Sequence, residues 1–292
     1  MSRPDDGIAR SVHVRLVRRA QELGVDPNQL IVRYGIERFL YRLSRSPHSE
    51  RFVLKGGLLM LARLGETLRP TRDADLLGIG DLSDEALGLL VRDICEAEVE
   101  PDGVTLDPDS VALAGIREQN SYGGRRITLD GRLGNARLRL QIDVGIGDVV
   151  TPEPDRLDYP TILELPAPRL YAYPRESVVA EKLHAIVHLG AANTRMKDYF
   201  DLFALAKEGA IDLERLARAV AATFVRRSTR LPDGVPSGLT DTFADEPSKR
   251  AMWRAFLDRS RLEAPDLRVV VRDLRGFLVG PLGAAARMMR ER

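Results

Sequence analysis

A single cysteine, Cys95, leaves this 292-residue chain no partner for an intrachain disulfide, and one thiol cannot supply a multi-thiolate zinc site. Net charge is nearly absent too. Lys and Arg number 44 against 43 Asp and Glu, a formal +1, so no strong global field exists and a polyanion would have to be held by local basic patches. Long apolar runs are missing: nothing approaches the roughly 20 residues needed to cross a bilayer. The polar opening "MSRPDDGIAR" is not followed by an apolar signal core. The expectation is a cytoplasmic protein with no membrane role. Histidine is scarce, with four in all. His184 and His188 stand four apart, but no H-E-x-x-H pattern and no third ligand accompany them, so a zinc-protease reading fails. What is present is ordinary for a globular chain: 44% hydrophobic and 30% charged residues, with length for one large domain or two smaller ones.

Apolar residues at helical spacing predict two helices between Ser11 and Leu43, broken near "GVDPNQ". "RFVLKGG" reads as a short strand ending in a Gly-Gly turn, "LLMLARLG" as a helix closed by Gly65, and "ADLLGIG" as a second strand. Asp81 to Asp107 holds nine acidic residues and one basic one around Leu87, Leu89, Leu90, Val91 and Ile94, which predicts an amphipathic helix with a solvated acidic face. "RRITLDGRLGNARLRLQIDVGIGD" alternates in period two on either side of Gly131 to Asn135, the clearest hairpin in the chain. Its second arm puts Ala136, Leu138, Leu140, Ile142 and Val144 on one face and Arg137, Arg139, Gln141 and Asp143 on the other. "TPEPDRLDYPTILELPAP" reads as a surface linker. From Glu176 onward the pattern is helical, interrupted by a Pro/Gly/Ser-rich "STRLPDGVPSGLTDTF" expected to be an exposed loop. Trp253 is expected to pack the last helices.

Asp73 and Asp75 are two apart next to a strand, so their carboxylates face one side. Asp143, on the polar face of a later strand, is a third. Such a set suits magnesium or manganese, which take hard oxygen ligands, and a pair of these ions serves phosphoryl transfer. The bland alternative pairs Asp73 and Asp75 with Arg69 and Arg72. Gly56 and Gly57 carry no side chains, so their backbone N–H groups can approach a phosphate at the start of the following helix. Further on, Asp198 and Asp201 share one helical face. Arg195, Lys197 and Lys182 accompany them, and a solvated ion-pair face is the competing reading there. Arg226, Arg227 and Arg230 beside the flexible loop suggest an RNA-backbone patch within Arg195 to Arg230. Tyr199 and Phe200 fall in the same stretch, with Phe200 on the core side. His184 is a possible substrate contact.

"FVLKGGLLMLARLGETLRPTRDADLL" and "ESVVAEKLHAIVHLGAANTRMKDYFDLFAL" resemble the two signatures of the AbiEii/AbiGii nucleotidyltransferase toxins, within the polymerase-beta-like superfamily. Thr71-Arg72-Asp73-Ala74-Asp75-Leu76 matches that family's T-x-D-x-D-hydrophobic strand in full. The turn departs from many superfamily members: Gly56-Gly57 replaces Gly-Ser, so phosphate binding leans on backbone N–H groups and Lys55. The resemblance implies an α+β fold, with a nucleotidyltransferase-type mixed sheet and its helices over 1–160 and a helical C-terminal domain over 161–292 completing the cleft. It implies metal ions on Asp73, Asp75 and Asp143, with Mg²⁺ or Mn²⁺ as cofactor. Lys182 and Asp198 are placed at the cleft, Lys182 as a point charge on the nucleoside triphosphate together with Lys55, Gly56 and Gly57. It further implies a bacterial toxin with a separately encoded antitoxin. Some relatives add nucleotides to the 3′ end of transfer RNA. A protein acceptor, an aminoglycoside-like small molecule, or a non-catalytic nucleotide- or RNA-binding role remain alternatives.

Overall fold

The computed structural model describes residues 4–65, 71, 73–80, 82–116, 123–148 and 150–291. The chain divides into two compact units. One comprises Met1–Ala62, Thr71–Gly147 and Asp155–Ala172; the other comprises Arg63–Pro70, Asp148–Pro154 and Tyr173–Arg292.

The first unit opens with helices α1 (Pro4–Leu23) and α2 (Pro27–Arg45). They break at the predicted place: Gly24 adopts φ +65 and Asp26 caps α2 by accepting from the Asn28 N–H, with Pro27 entering the helix. Then follow β1 (Phe52–Lys55), α3 (Gly56–Leu64), β2 (Ala74–Gly78), α4 (Asp84–Glu96), β3 (Val104–Leu106), β4 (Ala112–Ile116), β5 (Gly124–Leu133), β6 (Ala136–Ile146), β7 (Asp155–Asp158) and β8 (Arg169–Ala172). These strands form one mixed sheet in the order β3-β5-β6-β2-β1-β8-β7, with β4 on the β5 side. β2 runs parallel to β6 and β1 parallel to β8; the other pairs are antiparallel.

The alternation read in the hairpin is realised. Leu138, Leu140, Ile142 and Val144 are buried on one face, and burying such a side chain contributes about 1.5–3 kcal/mol. α2 packs on this face. Gly35 permits the close approach, since a Cβ there would stand 3.0 Å from Leu140 and 3.1 Å from Leu138. The tight turn lies at Gly134-Asn135, with Gly134 at φ +57, within the expected Gly131 to Asn135.

Four sequence expectations need correcting here. The acidic stretch is not one helix: α4 ends at Glu96 and β3 follows, while Asp81 lies outside the described residues. Asp102, far from solvated, is 3% exposed and pairs with Arg42 at 2.8 Å. Leu89 points to solvent rather than to the core. The Pro-rich linker contains β7, which pairs with β8 at the sheet edge, where proline interrupts no central ladder.

The second unit is helical: α5 (Arg175–Leu189), α6 (Met196–Glu208), α7 (Leu213–Arg226), α8 (Asp241–Asp245), α9 (Pro247–Ser260) and α10 (Leu267–Arg290). α5 packs on α7, and α10 packs on both α6 and α7. Val179, Leu183, Leu202, Leu216, Val220, Phe224, Leu274 and Leu278 are fully buried between them. Trp253 is buried as expected, its indole donating to the Pro265 carbonyl at 3.0 Å. The expected exposed loop before α9 is partly core, because Leu239 and Phe243 are buried and α8 forms within it. Among the described residues no helix is long and apolar enough to cross a membrane.

Candidate functional site

The strand register sets four charged residues in one row across the sheet. Lys55 on β1 faces Asp75 on β2, Asp75 faces Asp143 on β6, and Asp143 faces Arg126 on β5. Directly paired residues share a face of the sheet, so the row reads cation, anion, anion, cation. This face is opposite the one packed by α2, because Asp75 and Asp143 alternate with the buried Leu76, Ile142 and Val144. Asp73 sits one residue before β2, where the Thr71 hydroxyl donates to its carboxylate at 3.2 Å. Gln141 Nε2 lies 3.4 Å from its other oxygen.

Asp75 lies against the Gly-Gly turn. Gly56 adopts φ +64, and a side-chain carbon there would overlap the Asp75 carboxylate. The Gly57 N–H donates to Asp75 Oδ2 at 3.3 Å. Two properties of glycine are therefore used at once, its left-handed backbone and its missing Cβ. Burial pushes the Asp75 pKa up, and so do the charges of Asp73 and Asp143, against the lowering effects of Lys55 and the Gly57 N–H. Lys55 is accommodated by a third glycine: a Cβ on Gly145 would stand 3.4 Å from its Nζ.

Asp143 is held at both oxygens. Arg126 Nε donates to Oδ1 at 2.8 Å and Nη2 to Oδ2 at 2.7 Å, a bidentate fork. This pairing raises the Arg126 pKa above its already high value. Sequence reading missed Arg126, although its position in the first arm of the hairpin, opposite Asp143, was the available signal. The donor set suits a divalent ion, since all the carboxylates are hard oxygen ligands. In the present side-chain positions, however, no three carboxylate, histidine or cysteine groups cluster as a metal site among the described residues. One carboxylate is turned to the Gly57 N–H and another to Arg126.

The second unit brings together Lys182, Asp198 and Asp201. From α5, Lys182 Nζ donates to Asp198 Oδ1 at 2.9 Å and to Asp201 Oδ2 at 2.6 Å on α6. The carboxylate side chains are 1% and 0% exposed, which discards a solvated ion-pair face. Arg195 reaches Asp198 Oδ2 at 2.7 Å. Burial alone would raise the Asp198 pKa, but Lys182 and Arg195 hold it below the usual carboxylate range. Burial disfavours the Lys182 charge, yet the two aspartates hold its pKa above that of a free lysine. Lys197, by contrast, is exposed.

A second, half-buried network involves Glu181 and His184 of the same helix α5. Arg227 bonds both oxygens of Asp148 at 3.3 Å and Glu181 at 3.1 Å. His184 is 2% exposed, contacts Thr229 Oγ1 through Nε2 at 2.8 Å, and stacks on His188. Arg227 is thus spent on internal carboxylates, and Arg230 pairs with Asp233. Arg227 therefore adds nothing to the RNA patch expected at Arg226, Arg227 and Arg230, whereas Arg226 and Arg230 are exposed. A more open basic surface lies elsewhere in this unit, a groove of about 540 Å³ between the start of α6 and one stripe of α9. Arg195, Lys197 and Arg259 rim it, and Met252 and Phe256 are among its apolar lining.

The chain belongs to the family described as "Nucleotidyl transferase AbiEii toxin, Type IV TA system", whose profile matches residues 38–278. It is a nucleotidyltransferase of the toxin class. Among solved structures, it is similar to JHP933 from Helicobacter pylori, with TM-score 0.51 and 15% identity over 91% of this chain and 97% of that one. A second H. pylori structure, titled only as a nucleotidyltransferase candidate, gives TM-score 0.49 and 17% identity over 90% of this chain and 99% of that one. At such an identity the first likeness supports the α+β fold alone. No curated protein sequence matches the chain.

Proposed function

We propose that this chain is a Mg²⁺- or Mn²⁺-dependent enzyme that transfers a nucleoside monophosphate from a nucleoside triphosphate to the 3′ end of a tRNA. The observation that carries the reading is the row of Asp75 and Asp143 with Asp73 beside it, backed against a Gly-Gly turn. Among the described residues the three carboxylates meet two cations, Lys55 and Arg126, an arrangement that is unfavourable without further positive charge; Arg69 and Arg72, the alternative partners of Asp73 and Asp75, lie outside the described residues.

Asp73, Asp75 and Asp143 would hold the divalent ion, which supplies Lewis-acid stabilisation of charge at the α-phosphate and the departing pyrophosphate. Asp143, at the far side of the pair, accepts the proton of the attacking hydroxyl. The acceptor oxygen bonds to the α-phosphorus, the bond from that phosphorus to the β-bridging oxygen breaks, and pyrophosphate leaves with its electron pair. Lys55 balances charge at the row's other end, and Gly56 and Gly57 give phosphate oxygens close access to the backbone. In the helical unit Lys182, held by Asp198 and Asp201, is proposed as a cation for phosphate. The groove rimmed by Arg195, Lys197 and Arg259 supports a polyanionic acceptor over a cationic aminoglycoside. The family's toxin–antitoxin setting supports a separately encoded antitoxin and a cytoplasmic site of action.

The test is transfer of label from each α-labelled nucleoside triphosphate to total tRNA, with Mg²⁺ or Mn²⁺, alongside Asp75→Ala. Label on tRNA that requires Asp75 supports the proposal. Label on protein, or transfer that survives Asp75→Ala, rejects the acceptor or the site respectively.

A further inference from the structure

Asp143 raises a difficulty that the proposed function leaves open. A carboxylate meant for a metal ion should face little competition for its lone pairs, yet each Asp143 oxygen already gives one to the Arg126 fork, at 2.8 and 2.7 Å. The contact is built into the sheet, because Arg126 and Asp143 are directly opposite across β5 and β6. It is also displaceable. The Asp143 side chain is 14% exposed, but Arg126 is 43% exposed, so its guanidinium has solvent to move into. The buried Arg42–Asp102 pair of the same unit is 8% and 3% exposed and has no such route.

We infer that Arg126 is the resident counter-ion of the metal site, a positioning residue that a divalent ion must displace from Asp143 before the site is complete. The inference rests on the proposed function for the identity of the site. The two cations compete for one carboxylate. A dication concentrates twice the charge at one point, whereas the guanidinium spreads a single charge over both oxygens of Asp143 in a plane. The Arg126 fork holds Asp143 in place along the row while no ion is present, and its positive charge offsets the repulsion with Asp75 and Asp73. It also explains why the carboxylates, adjacent in register, do not converge: one of them is turned toward β5. Once displaced, the guanidinium remains within a side-chain length of the row and is available to an anionic group of the bound substrate.

The inference is tested by direct Mn²⁺ binding, followed by electron paramagnetic resonance of the free ion. The full-length protein is used without nucleotide, as wild type, Arg126→Gln, Arg126→Lys and Arg126→Gln with Asp143→Asn. Removing the competing fork should tighten Mn²⁺ binding about tenfold in Arg126→Gln, the size expected of a half-buried bidentate pair. Arg126→Lys, with a point charge and no fork, should fall between. The double variant should lose the gain. Far-ultraviolet circular dichroism identical to wild type establishes that each variant is folded, and Arg126→Lys carries the test if Arg126→Gln does not fold. Unchanged or weaker Mn²⁺ binding in the folded variants overturns the role of Arg126. If the wild type nonetheless binds Mn²⁺ and transfers nucleotide, the proposed function stands and only this inference falls. If no variant binds Mn²⁺ and no transfer is seen, both fall together.

Discussion

Asp75 shows how a functional residue can work against the fold. Its carboxylate is half-buried, faces two other carboxylates, and has its pKa pushed up by desolvation first and by Asp73 next. An acid whose folded pKa is raised contributes least to stability when ionised, so its charge is a liability near neutral pH. Asp75→Asn should therefore abolish nucleotide transfer while leaving the thermal midpoint equal or higher than wild type. A matched loss of activity and stability would mean the carboxylate serves the fold instead. Lys182 is the opposite case. Lys182→Met removes the cation shared by two aspartates that are 1% and 0% exposed, although Arg195 still reaches Asp198, and breaking a buried pair of this kind costs about 3 kcal/mol. Urea unfolding followed by Trp253 fluorescence should show that loss. The triple variant Lys182→Met, Asp198→Asn, Asp201→Asn should recover most of it. A loss below about 1 kcal/mol would show that these aspartates do not depend on the lysine.

At the scale of elements, the Gly-Gly turn between β1 and α3 joins backbone geometry to chemistry. Gly56→Ala meets two obstacles, φ +64 and the Asp75 carboxylate in the space its Cβ needs. The carboxylate has to swing away from the Gly57 N–H, so transfer should drop as far as in Asp75→Ala, with stability falling by about 1–3 kcal/mol. If transfer survives, Asp75 does not work from this position. The turn was legible in the sequence because Gly-Gly at a strand end has few other uses. The β5–β6 hairpin was legible because a period-two pattern leaves only one register that buries Leu138, Leu140, Ile142 and Val144. β7 was not, since two prolines and several charges outweigh a four-residue edge strand. Asp102 was not either: an aspartate in an acidic stretch looks solvated, and its partner Arg42 lies 60 positions away. Arg126 shared this limit. Nothing in the spacing of single residues tells which arginine of a charged strand lies opposite which carboxylate until the register is known. Arg227 escaped for a related reason, as its helix end looks like an open basic patch until Asp148 and Glu181 are brought to it.

For the molecule as a whole, acid sensitivity should originate in the helical unit and begin at His184. Burial, the charge of Arg227 and the neighbouring His188 lower its pKa from the ordinary 6.5 to about 4, against a small raising effect of Asp148. The unfolded chain then binds a proton that the folded chain refuses, so stability is fully present above about pH 6.5 and is lost as pH falls through the window to about 4. A separation of that size corresponds to about 3 kcal/mol once the window is crossed. Asp198, whose pKa is lowered by Lys182 and Arg195, adds its own loss only below the usual carboxylate range, so the upper window belongs to the histidine. Trp253 is the single tryptophan and lies buried in this unit, which makes its fluorescence a reporter of the unit within the intact chain. Its denaturation midpoint should fall steadily from pH 6.5 to 4 in the wild type. In His184→Gln, which starts lower for want of the ring stacking on His188 and the edge contact with Phe224, the midpoint should be nearly flat over the same range. A slope that persists in His184→Gln would place the acid sensitivity elsewhere in the molecule.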